Sequence, residues 1–113
     1  MTPPAGTFLA KVRDGLIQFP KPIQGYCEGA GWTLFRVDVV DENRLDLNPV
    51  LDDAGNDIPD DFQSSLSADG RLWIPALLRG VVGLGEQSVM MRVEGGSIRV
   101  FLRKVFETLG FRP

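Results

Sequence analysis

The sequence contains no histidine and only one cysteine, Cys27, among its 113 residues. Without histidine, neither a Ser-His nor a Cys-His catalytic pair can be assembled, and the one side chain that ordinarily titrates near neutral pH is missing. A single cysteine permits no disulfide within the chain, and zinc lacks enough nitrogen and sulfur ligands. We therefore expect a protein that is not an enzyme and that uses no metal or other cofactor.

Long apolar runs are also missing. No stretch of about 18 apolar residues occurs, so the sequence predicts no contact with a membrane through a spanning helix. The opening residues MTPPAG lack the basic patch and apolar stretch of a signal peptide. Together with the single cysteine, these features predict a cytoplasmic, reducing location. The length is typical of one domain, which we expect to comprise residues 1–113.

The net charge of −3 is unevenly distributed. Residues 51–61 carry five aspartates and no basic residue, whereas residues 62–113 carry seven basic and four acidic side chains. Aspartates are oxygen ligands that suit Ca²⁺, but their spacing does not match an EF-hand loop. We therefore interpret residues 49–62 as a solvated acidic linker, followed by a basic second half.

An internal repeat with an offset of 55 residues organises the chain. It places Asp14-Gly15 on Asp69-Gly70 and Pro20 on Pro75. These matched residues mark a turn and the start of a helix, since proline ends a strand and its fixed φ suits a first helical turn. The predicted parts are repeat one at about 7–48, the linker at about 49–62, repeat two at about 63–107 and a C-terminal tail at 108–113.

Each repeat has the pattern strand, turn, strand, short helix and hairpin. In repeat one we expect strands at 7–12, 16–19, 32–40 and 44–47, and a helix of one or two turns with Ile23, Tyr26 and Cys27 on its apolar face. In repeat two we expect strands at 63–68, 71–74, 89–93 and 98–102, with a helix from Pro75. Neither repeat can bury its strands alone. The sequence therefore predicts a mainly β fold with short helices, in which the two repeats close one pseudo-twofold β-barrel.

The basic residues of the second half form the one constellation with functional content: Arg71, Arg79, Arg92, Arg99, Arg103 and Lys104. Strand alternation places Ile98, Val100 and Leu102 in the core and Arg99, Phe101 and Arg103 on the outer face. Such a face can meet phosphates, but an exposed Phe101 suits a protein contact equally, and an ordinary solvated strand is the third interpretation. Trp73 is the second aromatic side chain that would suit a protein contact, but a tryptophan lies more often in a core than on an interface, so the core is the expected place.

The segment SADGRLWIPALLR at residues 67–79, followed by Gly83-Leu84 and a hairpin, resembles the module of AbrB/SpoVT-type transcription regulators. Two modules in one chain are similar to the MraZ family. The resemblance covers about residues 7–48 and 64–107 and implies a swapped-hairpin, or cradle-loop, barrel. It also implies DNA binding through loop and helix residues, here Arg71 and Arg79, although Leu16 and Gln24 occupy the corresponding positions of repeat one.

Two functions follow as hypotheses. The first is a transcription regulator of AbrB/MraZ type that contacts the phosphates of double-stranded DNA through arginines of the second repeat, as a homo-oligomer. The alternative is a non-catalytic protein-interaction or assembly module that has kept the barrel and lost the DNA-binding surface.

Overall fold

The computed structural model of the protein describes residues 2–50, 62–82 and 87–102. Within these residues the order strand, strand, helix, strand, strand occurs twice along the chain. The elements are β1 (Phe8–Arg13), β2 (Leu16–Gln18), α1 (Lys21–Ala30), β3 (Leu34–Asp41), β4 (Arg44–Pro49), β5 (Gln63–Ser65), β6 (Arg71–Trp73), α2 (Ala76–Val82), β7 (Gln87–Glu94) and β8 (Ser97–Phe101).

The eight strands form one antiparallel sheet in the order β5-β3-β4-β8-β7-β1-β2-β6. The two end strands come together through an isolated bridge between Leu66 and Leu72, so that the sheet is a nearly closed barrel. Strands from the two halves of the chain alternate along the sheet. β8 and β7 of the second half lie between β4 and β1 of the first half, and β6 of the second half pairs with β2. The predicted fold class, a mainly β barrel with two short helices, is confirmed. The internal sequence repeat stays a prediction.

Two hairpins turn on paired residues in the left-handed region. Asp14 and Gly15 have φ values of 54° and 78°, and Gly95 and Gly96 have values of 61° and 77°. Two successive positive φ angles match the twist of a two-residue hairpin loop, which explains the glycines at these positions. The turns predicted at these residues are therefore present.

The helix α1 is longer than predicted. It begins directly after Pro20 and extends for ten residues, with Ile23 and Cys27 buried. Gly29 lies inside the helix, where a glycine costs only about 1 kcal/mol relative to alanine. The helix is capped at Gly31, whose φ of 75° allows the Trp32 amide to donate to the carbonyl of Cys27 at 2.9 Å.

The core fills the barrel with aliphatic and aromatic side chains from nearly every element. Ile17 and Leu72 are paired residues of β2 and β6 and are both fully buried. Phe35 packs edge-on against Phe19 and Trp32, with ring centroids 6.0 and 6.3 Å apart. Burial of each such side chain contributes roughly 1.5–3 kcal/mol. The predicted core face of β8 is confirmed, since the buried residues include Ile98, Val100 and Leu102.

The bounds of some elements differ from those predicted. The strand β5 covers three residues rather than 63–68, and Leu66 adds only an isolated bridge to Leu72 before the turn at residues 67–70. β3 begins at Leu34, and Trp32 packs into the core before it. The aspartates at 52–61, the glycines at 83 and 85, and the tail at 108–113 lie outside the described residues.

Candidate nucleic-acid interface

A cluster of cations lies on the outer face of β1, β2 and β6. Alternation along β1 buries Ala10 and Val12 and exposes Lys11 and Arg13. Across the strands, Lys11 is the partner of Gln18, and Gln18 is the partner of Arg71. Because adjacent strands lie about 4.8 Å apart, the Cα atoms of Lys11 and Arg71 are separated by roughly 10 Å. We call Lys11, Arg13 and Arg71 the basic face.

The basic face lines a shallow surface depression of about 350 Å³. Its described lining residues are Lys11, Arg13, Asp14, Leu16, Gln18 and Arg71. Lys11 and Arg13 have no ion-pair partner among the described residues. The depression therefore offers cationic side chains whose charge can be neutralised by a bound anion.

Arg71 is held on the β6 side of this face without being buried. Its Nε lies 3.1 Å from the side-chain oxygen of Gln18 and 3.4 Å from a carboxylate oxygen of Asp69, while 55% of its side chain remains exposed. The Ser67 hydroxyl donates to Asp69 and lowers the pKa of that carboxyl, and the charge of Arg71 lowers it further. Asp69 thus fixes the guanidinium but also neutralises part of its charge.

Arg79 has a different environment from the other predicted site residues. Its Nε donates to the carbonyl of Ile74 at 2.9 Å, and its guanidinium lies 4.5 Å from the centroid of the Trp73 ring. Its guanidinium also packs over Gly15, where an added Cβ would lie 3.0 Å from the Arg79 Cζ. Arg79 therefore has a structural role at the border of the basic face, whatever else it contacts.

Arg92 and Arg99 are partners across β7 and β8, on another part of the barrel. Both lie near Glu94, with nitrogen–oxygen distances of 3.6 and 3.5 Å, and Arg92 also donates to the Thr7 hydroxyl. Arg99 is in addition the cross-strand partner of Asp46. The carboxylates compensate much of the charge of this pair. Arg103 and Lys104 lie outside the described residues.

Two aromatic side chains differ from expectation. Trp73 was expected in the core, but 45% of it is exposed, because Leu72 and Ile74 take the buried positions on either side of it. Phe101 was expected on the surface, but it is half-buried and packs against the core, with the Arg92 guanidinium 5.8 Å from its ring centroid. Among the described residues of the second half, the exposed aromatic side chain is therefore Trp73.

Lys11 and Arg13 were missed by the sequence analysis. They belong to the first half of the chain, whose charges nearly balance, and reach Arg71 only through the pairing of β1 with β2 and of β2 with β6. Their alternation with Ala10 and Val12 indicated exposure, but nothing local indicated which basic residue lies beside them.

The described residues hold no cluster of metal ligands, and the one cysteine is not activated. No group of three or more histidine, cysteine, aspartate or glutamate side chains among them is arranged to hold a metal ion. Cys27 is fully buried, and burial raises the pKa of its thiol to about 11. A thiol in this state is protonated at neutral pH and is a poor nucleophile.

No protein-family model matches the chain, and no curated protein matches it either. The fold of the described residues places the protein among antiparallel, nearly closed eight-stranded barrels with two short helices. Within the described ranges, no helix is long and apolar enough to cross a membrane.

Proposed function

We propose that the protein is a non-catalytic, cytoplasmic DNA-binding regulator of AbrB/MraZ type, and that its basic face contacts the phosphates of double-stranded DNA. The observation that carries the proposal is the convergence of Lys11, Arg13 and Arg71 on one depression, where two of the three cations have no carboxylate partner within the described residues. Arg71 was one of the six sequence candidates from the second half, and two cations of the first half, Lys11 and Arg13, join it.

The remaining sequence candidates fit this function less well. Arg92 and Arg99 share Glu94, and phosphate contact at either would have to compete with that carboxylate. Arg79 already stacks on Trp73 and bonds to a backbone carbonyl. We therefore place the main phosphate contacts on the basic face, with Arg79 in a supporting role.

The basic face is small, so one copy offers few contacts. Three phosphate contacts correspond to a fall of log K with log salt concentration at a slope of about −2.7. A homo-oligomer presenting several basic faces along one duplex would bind far more tightly than one copy. A homo-oligomer is therefore part of the proposal, and light scattering of the purified protein measures it.

The experiment is a titration of mixed-sequence duplex DNA with two double variants of equal net charge. Lys11→Gln with Arg71→Gln removes two cations from the basic face, whereas Arg36→Gln with Arg92→Gln removes two cations that lie beside Asp38 and Glu94. We expect the first pair to weaken binding at 50 mM salt by about tenfold or more and to flatten the salt dependence, because phosphate contacts supply the affinity. The second pair should change both values little.

A protein-interaction or assembly module is the second candidate. Two observations favour it. Each arginine on β3, β4, β7 and β8 has a carboxylate ion-pair partner, namely Arg36, Arg44, Arg92 and Arg99. The side chains of Leu9 and Trp73 are exposed at 61% and 45%. An absence of binding to duplex DNA at low salt, with an oligomer that dissociates on Leu9→Glu, would favour this function over the first.

A further inference from the structure

Trp73 is the most unusual side chain of the described surface. It is one of two tryptophans, and whereas Trp32 is 8% exposed, Trp73 is 45% exposed. It lies on the outer face of β6, two residues from Arg71, and its cross-strand partner is Leu16. A large aromatic surface in contact with water costs hydrophobic free energy, and this one lies beside cations on the same face of the sheet.

Arg79 holds the indole in place. The guanidinium stacks on the ring at 4.5 Å, and its position is fixed by the hydrogen bond from Nε to the Ile74 carbonyl. The ring edge also packs against the Gly15 backbone, since a Cβ there would lie 2.7 Å from Trp73 Cζ3. Because the side chain is fixed before any ligand arrives, binding to it loses little conformational entropy.

The basic face borders this aromatic surface on the same side of the sheet. Arg71 and Trp73 are two residues apart on one strand, which separates their Cα atoms by roughly 7 Å. Arg13 pairs with Leu16, and Leu16 pairs with Trp73, so Arg13 lies two strands from the indole. Cations and an exposed aromatic ring on one face are the two components of surfaces that bind single-stranded nucleic acid.

We propose that Trp73, held by Arg79, is a stacking site for an unpaired base of a DNA strand whose phosphates bind the basic face. The inference rests on the proposed function, since it assumes that DNA phosphates lie on Lys11, Arg13 and Arg71. It adds that the protein prefers DNA with unpaired bases to an intact duplex. The bases of an intact duplex are already stacked on one another, so only an unpaired base can present its π face to the indole.

The experiment uses fluorescence in a Trp32→Phe background, in which Trp73 is the sole tryptophan. The probes are a 12-nucleotide oligo-dT, an oligo-rU of equal length and a 12-base-pair mixed-sequence duplex, each at 50 mM salt. We expect oligo-dT to quench Trp73 and to bind more tightly than the duplex. Trp73→Leu keeps an apolar side chain but removes the π face. Because this variant has no tryptophan in the Trp32→Phe background, its binding is measured by titration calorimetry beside that of Trp32→Phe, and we expect oligo-dT binding to weaken roughly 5- to 150-fold.

The outcomes separate the two proposals. Two results would overturn the stacking site and leave the proposed function standing. The first is binding of the duplex without quenching of Trp73 by oligo-dT. The second is a ratio of oligo-dT to duplex affinity that is the same in Trp73→Leu as in the protein with Trp73. Absence of binding to every probe at low salt would overturn both. Equal or tighter binding of oligo-rU would overturn the assignment of the site to DNA. Circular dichroism of Trp73→Leu checks that the barrel is intact.

Discussion

The backbone amide of Phe19 donates to the carbonyl of Gly70 at 2.8 Å, and this bond ties the end of β2 to the turn before β6. A second bond has the same form with the halves exchanged, since the amide of Ile74 donates to the carbonyl of Gly15 at 2.9 Å. The side chain that covers each glycine also has a counterpart, Gln24 over Gly70 and Arg79 over Gly15. Substitutions in these two turns therefore allow specific predictions about the stability of the protein.

We expect Gly70→Ala to destabilise the protein by about 1–3 kcal/mol, for two reasons. Gly70 has a φ of 81°, and an added Cβ would displace the amide of Gln24 from its hydrogen bond to the Phe19 carbonyl. Gly96→Ala is the control, because Gly96 has a φ of 77° but no atom within 4 Å of the added Cβ. Urea denaturation should give a larger loss for Gly70→Ala than for Gly96→Ala. In a Gln24→Ala background that difference should shrink, and an unchanged difference would contradict this account.

The second prediction concerns Arg79. Arg79 and Gln24 make equivalent bonds to the carbonyl five residues earlier, at 2.9 Å to Ile74 and at 2.6 Å to Phe19. Arg79→Gln should therefore retain the bond to Ile74, whereas Arg79→Ala should lose both it and the contact with the Trp73 ring, at a cost of about 1–2 kcal/mol. Thermal unfolding of the two variants checks this. Arg13→Ala removes the same charge at a position without a described partner and should change stability by less than about 0.5 kcal/mol. Equal destabilisation by Gln and Ala at position 79 would show that the carbonyl bond is unimportant.

The local features of the fold were predictable because local chemistry determines them. Pro20 and Pro75 end strands and precede helices, as the fixed φ and missing amide of proline require. Gly95 and Gly96 form the predicted turn, because few other residues adopt two successive positive φ angles. α1 is longer than the one or two turns predicted, because Gly25 and Gly29 lie inside it and only Gly31, with a φ of 75°, caps its end.

The candidate site was predictable only in part, because it depends on which strands are neighbours. Arg71 was identified from its own segment, but Lys11 and Arg13 join it through pairing between distant parts of the chain. Trp73 was placed wrongly for another reason. Its residue type favours burial, but the alternation of Leu72, Trp73 and Ile74 on a short strand places it outside. In this segment the alternation along the strand predicts burial better than the residue type does.

The third prediction concerns the Ser67–Asp69 contact in the turn before β6. The Ser67 hydroxyl lowers the pKa of the Asp69 carboxyl below its ordinary value. Since that pKa is lower in the folded state, ionised Asp69 favours folding above the unfolded pKa, and this contribution is lost as pH falls through the folded pKa. An NMR titration of the Asp69 carboxyl should therefore shift upward in Ser67→Ala. Ser65→Ala makes the same change on an exposed residue outside the turn and should leave the titration unchanged; an equal shift there would contradict the assignment.

The last prediction concerns the thiol of Cys27, which is fully buried on α1 and has a pKa raised to about 11 by that burial. In the unfolded chain the thiol titrates near its ordinary value, so between about pH 9 and 11 the unfolded state loses its proton first. The unfolded state then binds fewer protons than the folded state, and the thiol's contribution to the free energy of unfolding falls as pH rises through this window. Cys27→Ala lacks this titration, so the difference in stability between the wild type and Cys27→Ala should shift in favour of the variant from pH 8 to pH 11. At pH 8 the folded thiol should also react with an alkylating reagent only as fast as the protein opens, and faster in urea. Alkylation of the folded protein at the rate of a free thiol would mean that Cys27 is accessible, and the predicted alkaline loss of stability would then have no basis.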